Sequence, residues 1–152
     1  GPFNIAFIIE TLTDNKNRSA SSIRTVLQKN GGRLGETGST THLFYNCGVI
    51  HVDKKKYNED EIFEIATNSG AKDCFHFKNI HEIISEKEDF YKIKNILEKK
   101  IENFEYSGIE WRAFSHVNLK KEQIDKILEI LELLEELDDV QNIYTNTNLE
   151  NI

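Results

Sequence analysis

Five cations, Lys16, Arg18, Arg24, Lys29 and Arg33, lie within one stretch, LTDNKNRSASSIRTVLQKNGGRLGETGS, that spans residues 12–39. Asn15, Asn17, Ser19, Ser21 and Ser22 are interleaved with them. Cationic side chains neutralise phosphate, while short polar side chains and the unpaired N–H groups of a helix start supply donors, so the mixture suits a sugar-phosphate backbone. A solvated helix face has the same composition, and residue types alone do not separate the two. The charge of the rest makes the stretch stand out. Residues 1–56 carry eight Lys or Arg against four Asp or Glu, and residues 57–152 carry eleven against twenty-two, within a net charge of -7. The basic end of the chain is the candidate anion-binding end.

Other chemistry finds little footing. His42, His51, His76, His81 and His116 are scattered over strand-like segments and assemble, by sequence, into no nucleophile and base set. The carboxylates fall mostly on helix faces, where they solubilise. No metal-ligand spacing is present. GGRLGETG, residues 31–38, follows a helix instead of leading from a strand into one, and it lacks the lysine of a phosphate loop. No catalytic residue, metal or cofactor is therefore assigned. Cys47 and Cys74 are the two cysteines, without a C-x-x-C, which fits a reducing cytosol or matrix. No apolar run reaches the ~20 residues that span a bilayer.

The elements that must hold the basic stretch follow from periodicity. NIAFIIETLT, residues 4–13, reads as a central strand buried on both faces. Ser19 is placed to cap a helix over residues 20–30, with Ile23, Val26 and Leu27 inward, Arg24 and Gln28 outward, and Gly31-Gly32 as a left-handed end. THLFYNCGVIHVD, residues 41–53, reads as a hairpin turning at Asn46-Cys47-Gly48. Lys54 to Lys56 form a solvated basic turn. A helix capped by Asn58 and ended by Gly70 comes next, then one or two strands over residues 74–85, an amphipathic helix within 86–102, and extended residues on either side of Gly108. KKEQIDKILEILELLEELDD, residues 120–139, is a scaffold helix with Ile124, Ile127, Leu128, Leu131 and Leu134 at helical spacing, and VQNIYTNTNL closes as a strand.

The expected class is α+β. Residues 1–57 with 112–152 form a ferredoxin-like βαββαβ sandwich, and residues 58–111 form a second small α/β domain inserted within it.

Three separated motifs carry more than pattern. LTDNKNR, NGGRLGETGS and DDVQNIYTN, together with LFYNCGVI, occur in an order and at distances that closely resemble the YebC/PmpR family from residue 1 to about 148. Thr40, where the family has an apolar residue, and Arg33, where Asn is common, are departures that leave the motifs intact. The resemblance implies the second and third domains of a three-domain protein, preceded by a basic helical domain. The lack of methionine in the chain accords with that expectation, and Gly1-Pro2 stands in the family's register as well as being a possible cleavage scar. It also implies a non-enzymatic regulator in the bacterial cytoplasm, or in the mitochondrial matrix. Its partner would be DNA in transcriptional control, or ribosomal RNA on the ribosome, as for a mitochondrial activator of cytochrome oxidase subunit translation. Carried onto this chain, the nucleic-acid-facing positions are Lys16, Asn17, Arg18, Ser19, Arg24, Gln28, Lys29 and Arg33.

Overall fold

The computed structural model describes residues 2–36 and 38–149. The principal elements run β1 (Phe7–Thr11), α1 (Lys16–Lys29), β2 (Phe44–Asp53), α2 (Glu59–Ser69), β3 (Asp73–His76), β4 (Ile80–Glu86), α3 (Phe90–Glu98), β5 (Tyr106–Ala113), α4 (Lys121–Glu135) and β6 (Val140–Thr145). Strands and helices alternate into two sheets, one of β1 and β6 and one in the order β3-β4-β2-β5. This is the mixed α+β architecture expected.

The described residues divide into two compact units, one within 2–45 and 112–149 and one of residues 46–111. The first junction lies between Tyr45 and Asn46, inside β2, and not after Tyr57. Residues 46–57 supply most of a strand that pairs with β4, which is why they go with the second unit.

In unit 1 the order is β1, α1, the first residues of β2, the last residues of β5, α4 and β6, the βαββαβ order of a ferredoxin-like domain. Strand β1 runs antiparallel to β6, from Phe7 opposite Thr145 to Thr11 opposite Val140. It belongs to a two-stranded sheet and is not the doubly buried central strand that its composition suggested. Ile5 and Ala6, which contribute much of that apolar character, are buried ahead of the strand, whereas Glu10 and Thr11 within it are exposed. The core joins Ile5, Ile23 and Leu27 to Ile127, Ile130 and Leu134 of α4. The inward stripe of α4 is thus 127, 130 and 134, and Leu128 lies outside it, 43% exposed.

Helix α1 starts earlier than expected, because Asn15 is its cap. The Asn15 side chain accepts from the Arg18 N–H at 3.0 Å, and Ser19 falls inside the helix on its buried side. The far end is the expected left-handed stop: Gly31 has φ 82°, and the Gly32 N–H donates to the Leu27 carbonyl at 2.8 Å.

Residues 41–53, which cross from unit 1 into unit 2, make no hairpin. β2 is a single strand that pairs with β4 from Cys47 opposite Glu86 to Asp53 opposite Ile80. Gly48 serves packing instead of turning, since a Cβ there would run into the Ser85 hydroxyl and the Phe90 ring. β3 and β4 form the hairpin, with Asp73 opposite Ile84 and His76 opposite His81. The core gathers Ile50, Val52 and Ile83 from the sheet, Ile62 and Ala66 from α2, and Phe90, Ile93 and Leu97 from α3. Asn58 caps α2 through the Glu61 N–H at 2.8 Å, and Gly70 ends it at φ 92°.

Candidate nucleic-acid interface

The inward side of α1 is Ser19, Ile23 and Leu27, so Asn17, Arg24 and Gln28, spaced seven and four residues apart, share the opposite, exposed side. Lys16 is exposed in the first turn, Lys29 in the last, and Arg33 in the loop beyond. Lys29 also compensates the negative end of the helix dipole. Among the described residues no carboxylate lies within ion-pair distance of Lys16, Arg24, Lys29 or Arg33. These four charges are available to an anion.

Arg18 and Ser19 are placed differently. The Arg18 guanidinium donates to Asp139 at 3.1 Å and to Asp14 at 3.1 Å, and the Ser19 hydroxyl donates to Asp139 at 2.6 Å. Thr13 adds a hydroxyl to the same carboxylate at 3.0 Å, while the Leu12 N–H donates to the Asp139 carbonyl at 2.9 Å. The Ser19 and Arg18 hydrogen bonds hold the Asp139 carboxyl below the usual carboxylate range. In return, the hydrogen bond to Asp139, with that carboxylate's charge, holds Arg18 above its ordinary value. Of the eight sequence-derived positions, Ser19 is buried and turned away from solvent, and Arg18 is committed to two carboxylates while remaining 55% exposed at its side chain.

A cavity of about 430 Å³ opens beside this clamp, lined by Arg18, Ser19, Ser22, Glu136, Asp138 and Asp139 among others. Its three carboxylates repel phosphate. The outward cations are therefore on the side of α1 bearing Arg24 and Gln28, continued by Lys29 and Arg33. Asp139, Asp14 and Thr13 were absent from the sequence-derived set, although the first belongs to DDVQNIYTN and the others to LTDNKNR. The structure shows why those motifs go together: one supplies the carboxylate and the other its donors.

Unit 2 brings together histidines that the sequence left scattered. His51 Nε2 lies 2.8 Å from Glu82 Oε2, cross-strand neighbours on β2 and β4. His81, fully buried, places Nε2 2.7 Å from the Tyr57 carbonyl oxygen and Nδ1 2.8 Å from His76 Nδ1. A carbonyl only accepts, so His81 Nε2 carries a proton and donates, and a single proton lies between the two Nδ1 atoms. This is a satisfied internal chain. Cys47 shares a strand face with His51, yet four residues of strand separate them by about 13 Å, beyond any nucleophile and base contact. Among the described residues no group of three or more His, Cys, Asp or Glu side chains is placed to hold a metal, and no helix is long and apolar enough to cross a membrane.

Residues 1–147 match the family described as TACO1/YebC second and third domain. A probable transcriptional regulatory protein of Pelagibacter ubique is 45% identical over 151 residues, covering 99% of this chain and 63% of the relative. One from Borrelia duttonii is 42% identical over 144 residues, 95% of this chain and 59% of the relative. One from Zymomonas mobilis is 38% identical over 150 residues, 99% of this chain and 60% of the relative. The crystal structure of a conserved hypothetical protein from Aquifex aeolicus superposes with a TM-score of 0.86 at 36% identity, over 97% of this chain and 61% of that one. The chain thus spans about three-fifths of the length of the relatives it matches.

Proposed function

The chain belongs to the YebC/PmpR family, as its second and third domains, and on that footing we propose that it is part of a non-enzymatic regulator of gene expression that binds nucleic acid in the bacterial cytoplasm. The target is duplex DNA, in the control of transcription, in keeping with the names of its relatives. Unit 1 is the nucleic-acid-facing domain and unit 2 the inserted one. The observation that carries this reading is the set of exposed cations on α1 and the loop after it, Lys16, Arg24, Lys29 and Arg33, unpaired within a chain of net charge -7. The net negative charge repels phosphate at long range, and exposed cations without an internal carboxylate partner offset that repulsion where they meet phosphate directly. Asn17 and Gln28, on the same side, add hydrogen-bonding groups for the backbone or a base edge.

A second reading places the same surface on ribosomal RNA, as a translation factor. The family description, which sets TACO1 beside YebC, favours it, and Lys and Arg contacts to phosphate serve an RNA helix read by shape equally well. Crosslinking of the full-length protein in cells, followed by sequencing of the bound nucleic acid, tests both. Discrete DNA sites are expected. Recovery of ribosomal RNA alone moves the target to the second reading, and recovery of neither overturns both.

A further inference from the structure

The turn Lys54-Lys55-Lys56 does not stand alone in the folded chain. Asp53 at the end of β2 pairs with Ile80 at the start of β4, and the Lys54 N–H donates to the Asn79 carbonyl at 3.2 Å. The turn after β2 and the turn of the β3–β4 hairpin therefore lie side by side at one end of the sheet. Lys54 fastens them together: its ammonium donates to the Phe77 carbonyl at 2.6 Å and pairs with Glu59 at 3.4 Å. Lys78, distant in sequence, is brought to the same edge as Lys55 and Lys56.

The result is a basic tip on a unit whose composition is acidic. Lys54, Lys55, Lys78 and Asn79, with Asp53 and Glu105, line an open cavity of about 370 Å³. Lys55, Lys56 and Lys78 are exposed, and among the described residues none has a carboxylate within ion-pair distance. The nearby acids are partly committed: Asp53 accepts the Lys55 N–H at 2.9 Å, and Glu59 is held by Lys54. Three free ammonium groups on two rigidly joined turns make a short track of point charges. Lysine on a flexible stem suits phosphates at adjustable spacing more than a planar carboxylate that calls for a two-pronged partner.

We propose that Lys55, Lys56 and Lys78 form a second phosphate-contacting surface, which takes the sugar-phosphate backbone of the nucleic acid bound by this protein. The inference rests on the function proposed above and adds unit 2 to the contact. Such contacts strengthen and position the complex without reading sequence.

The test is the triple variant Lys55→Glu, Lys56→Glu, Lys78→Glu, with Lys54 left in place because it joins the turns. A control, Lys92→Glu, Lys99→Glu, Lys100→Glu, makes the same change of net charge elsewhere in unit 2. Binding of this chain to a DNA duplex and to an RNA hairpin is followed by fluorescence anisotropy across a salt series. A milder set, Lys55→Gln, Lys56→Gln, Lys78→Gln, covers the case in which charge reversal perturbs folding. The expected result is a slope of log affinity against log salt shallower by about 2 to 3 for either tip variant relative to the parent, with a control slope near the parent's. If the parent binds, and α1 substitutions weaken it while the tip variants match the control, this inference fails and the proposed function stands. If the parent binds neither probe, both fail. Tip variants that keep nucleic-acid affinity but lose retention on immobilised polyglutamate would assign the tip to an acidic protein and overturn the proposal.

Discussion

The Ser19 hydroxyl sits 2.6 Å from the Asp139 carboxylate, which ties the second turn of α1 to the residue just ahead of β6. Thr13 and Arg18 converge on the same carboxylate, so one side chain gathers three donors from a segment far away in sequence. The clamp fixes where α1 begins relative to the β1–β6 pair, and therefore where Arg24 and Gln28 face. It sets the direction of these side chains while its own charges are paired internally.

Acid should loosen this clamp first. Asp139 has its carboxyl held down in the folded state, so its contribution is full above the ordinary carboxylate pKa and is lost as pH falls through the lowered folded value. Asp139→Asn should therefore lower the urea midpoint at pH 7 and reduce the difference from the parent as pH falls toward 3. A constant difference across that range would show that the charge of Asp139 does not contribute.

Arg18 and the outward cations should separate experimentally. Arg18→Ala should lower stability and change the salt slope of nucleic-acid binding little, since its guanidinium is already paired. Arg24→Ala, Lys29→Gln and Arg33→Ala together should leave the thermal midpoint nearly unchanged and make the slope of log affinity against log salt shallower by about 2 to 3. Anisotropy titrations beside thermal melts distinguish the two. A folded triple variant with the parent's affinity and slope would make this side of α1 a solvated surface only.

Gly48→Ala should be costly although it adds one methyl group. Its new carbon has no room beside the Ser85 hydroxyl and the Phe90 ring, both buried. Overpacking of this kind costs about 1–3 kcal/mol, read as a lower denaturant midpoint at unchanged slope. Gly70→Ala tests a different cause at a helix end with open space around it, where the φ of 92° is the sole obstacle. Its cost should be about 1 kcal/mol.

Cys74 should be slow to alkylate. Burial pushes its thiol up to about 11, and the thiolate is the reactive form. Iodoacetamide at pH 8 should label it at least about tenfold more slowly in the native protein than in urea, because few thiolates are present and access is restricted. Peptide mass spectrometry would locate the label, and rapid native labelling at Cys74 would contradict the assignment.

Local chemistry made much of the fold legible. Asn58 and Gly70 bracket α2, Gly31 and Gly32 stop α1, and Ile127 and Leu134 mark the buried side of α4, although Leu128 of the expected stripe is exposed and Ile130 is buried in addition. What stayed hidden depends on distant partners. Gly48 resembles a turn residue until Phe90 is packed over it. Ser19 resembles a helix cap until Asp139 is brought to its hydroxyl, and Asn15 takes the cap instead. His51 meets Glu82, and His76 meets His81, through strand register, which composition does not specify. Along α1 and the loop after it the basic residues were legible as a group. Which of them is free and which is held by an internal carboxylate was not, because Asp139 lies at the other end of the chain.

The pairing of Phe7 with Thr145 also bears on how the chain reaches this state. Unit 1 is built from two segments that flank residues 46–111, so β1 and β6 close a loop that spans nearly the whole chain, whereas unit 2 is drawn from one continuous stretch. Closure entropy rises with the length of free chain between the ends, and contacts that are near in sequence form sooner. A unit 2 already folded replaces most of that free chain with a compact body and shortens the search that β1 and β6 must make. Pulsed hydrogen exchange during refolding should protect the amides of β4 and α3 before those of β1 and β6. Destabilising the unit 2 core, for instance by Ile83→Val, should then slow the late step although Ile83 belongs to the other unit.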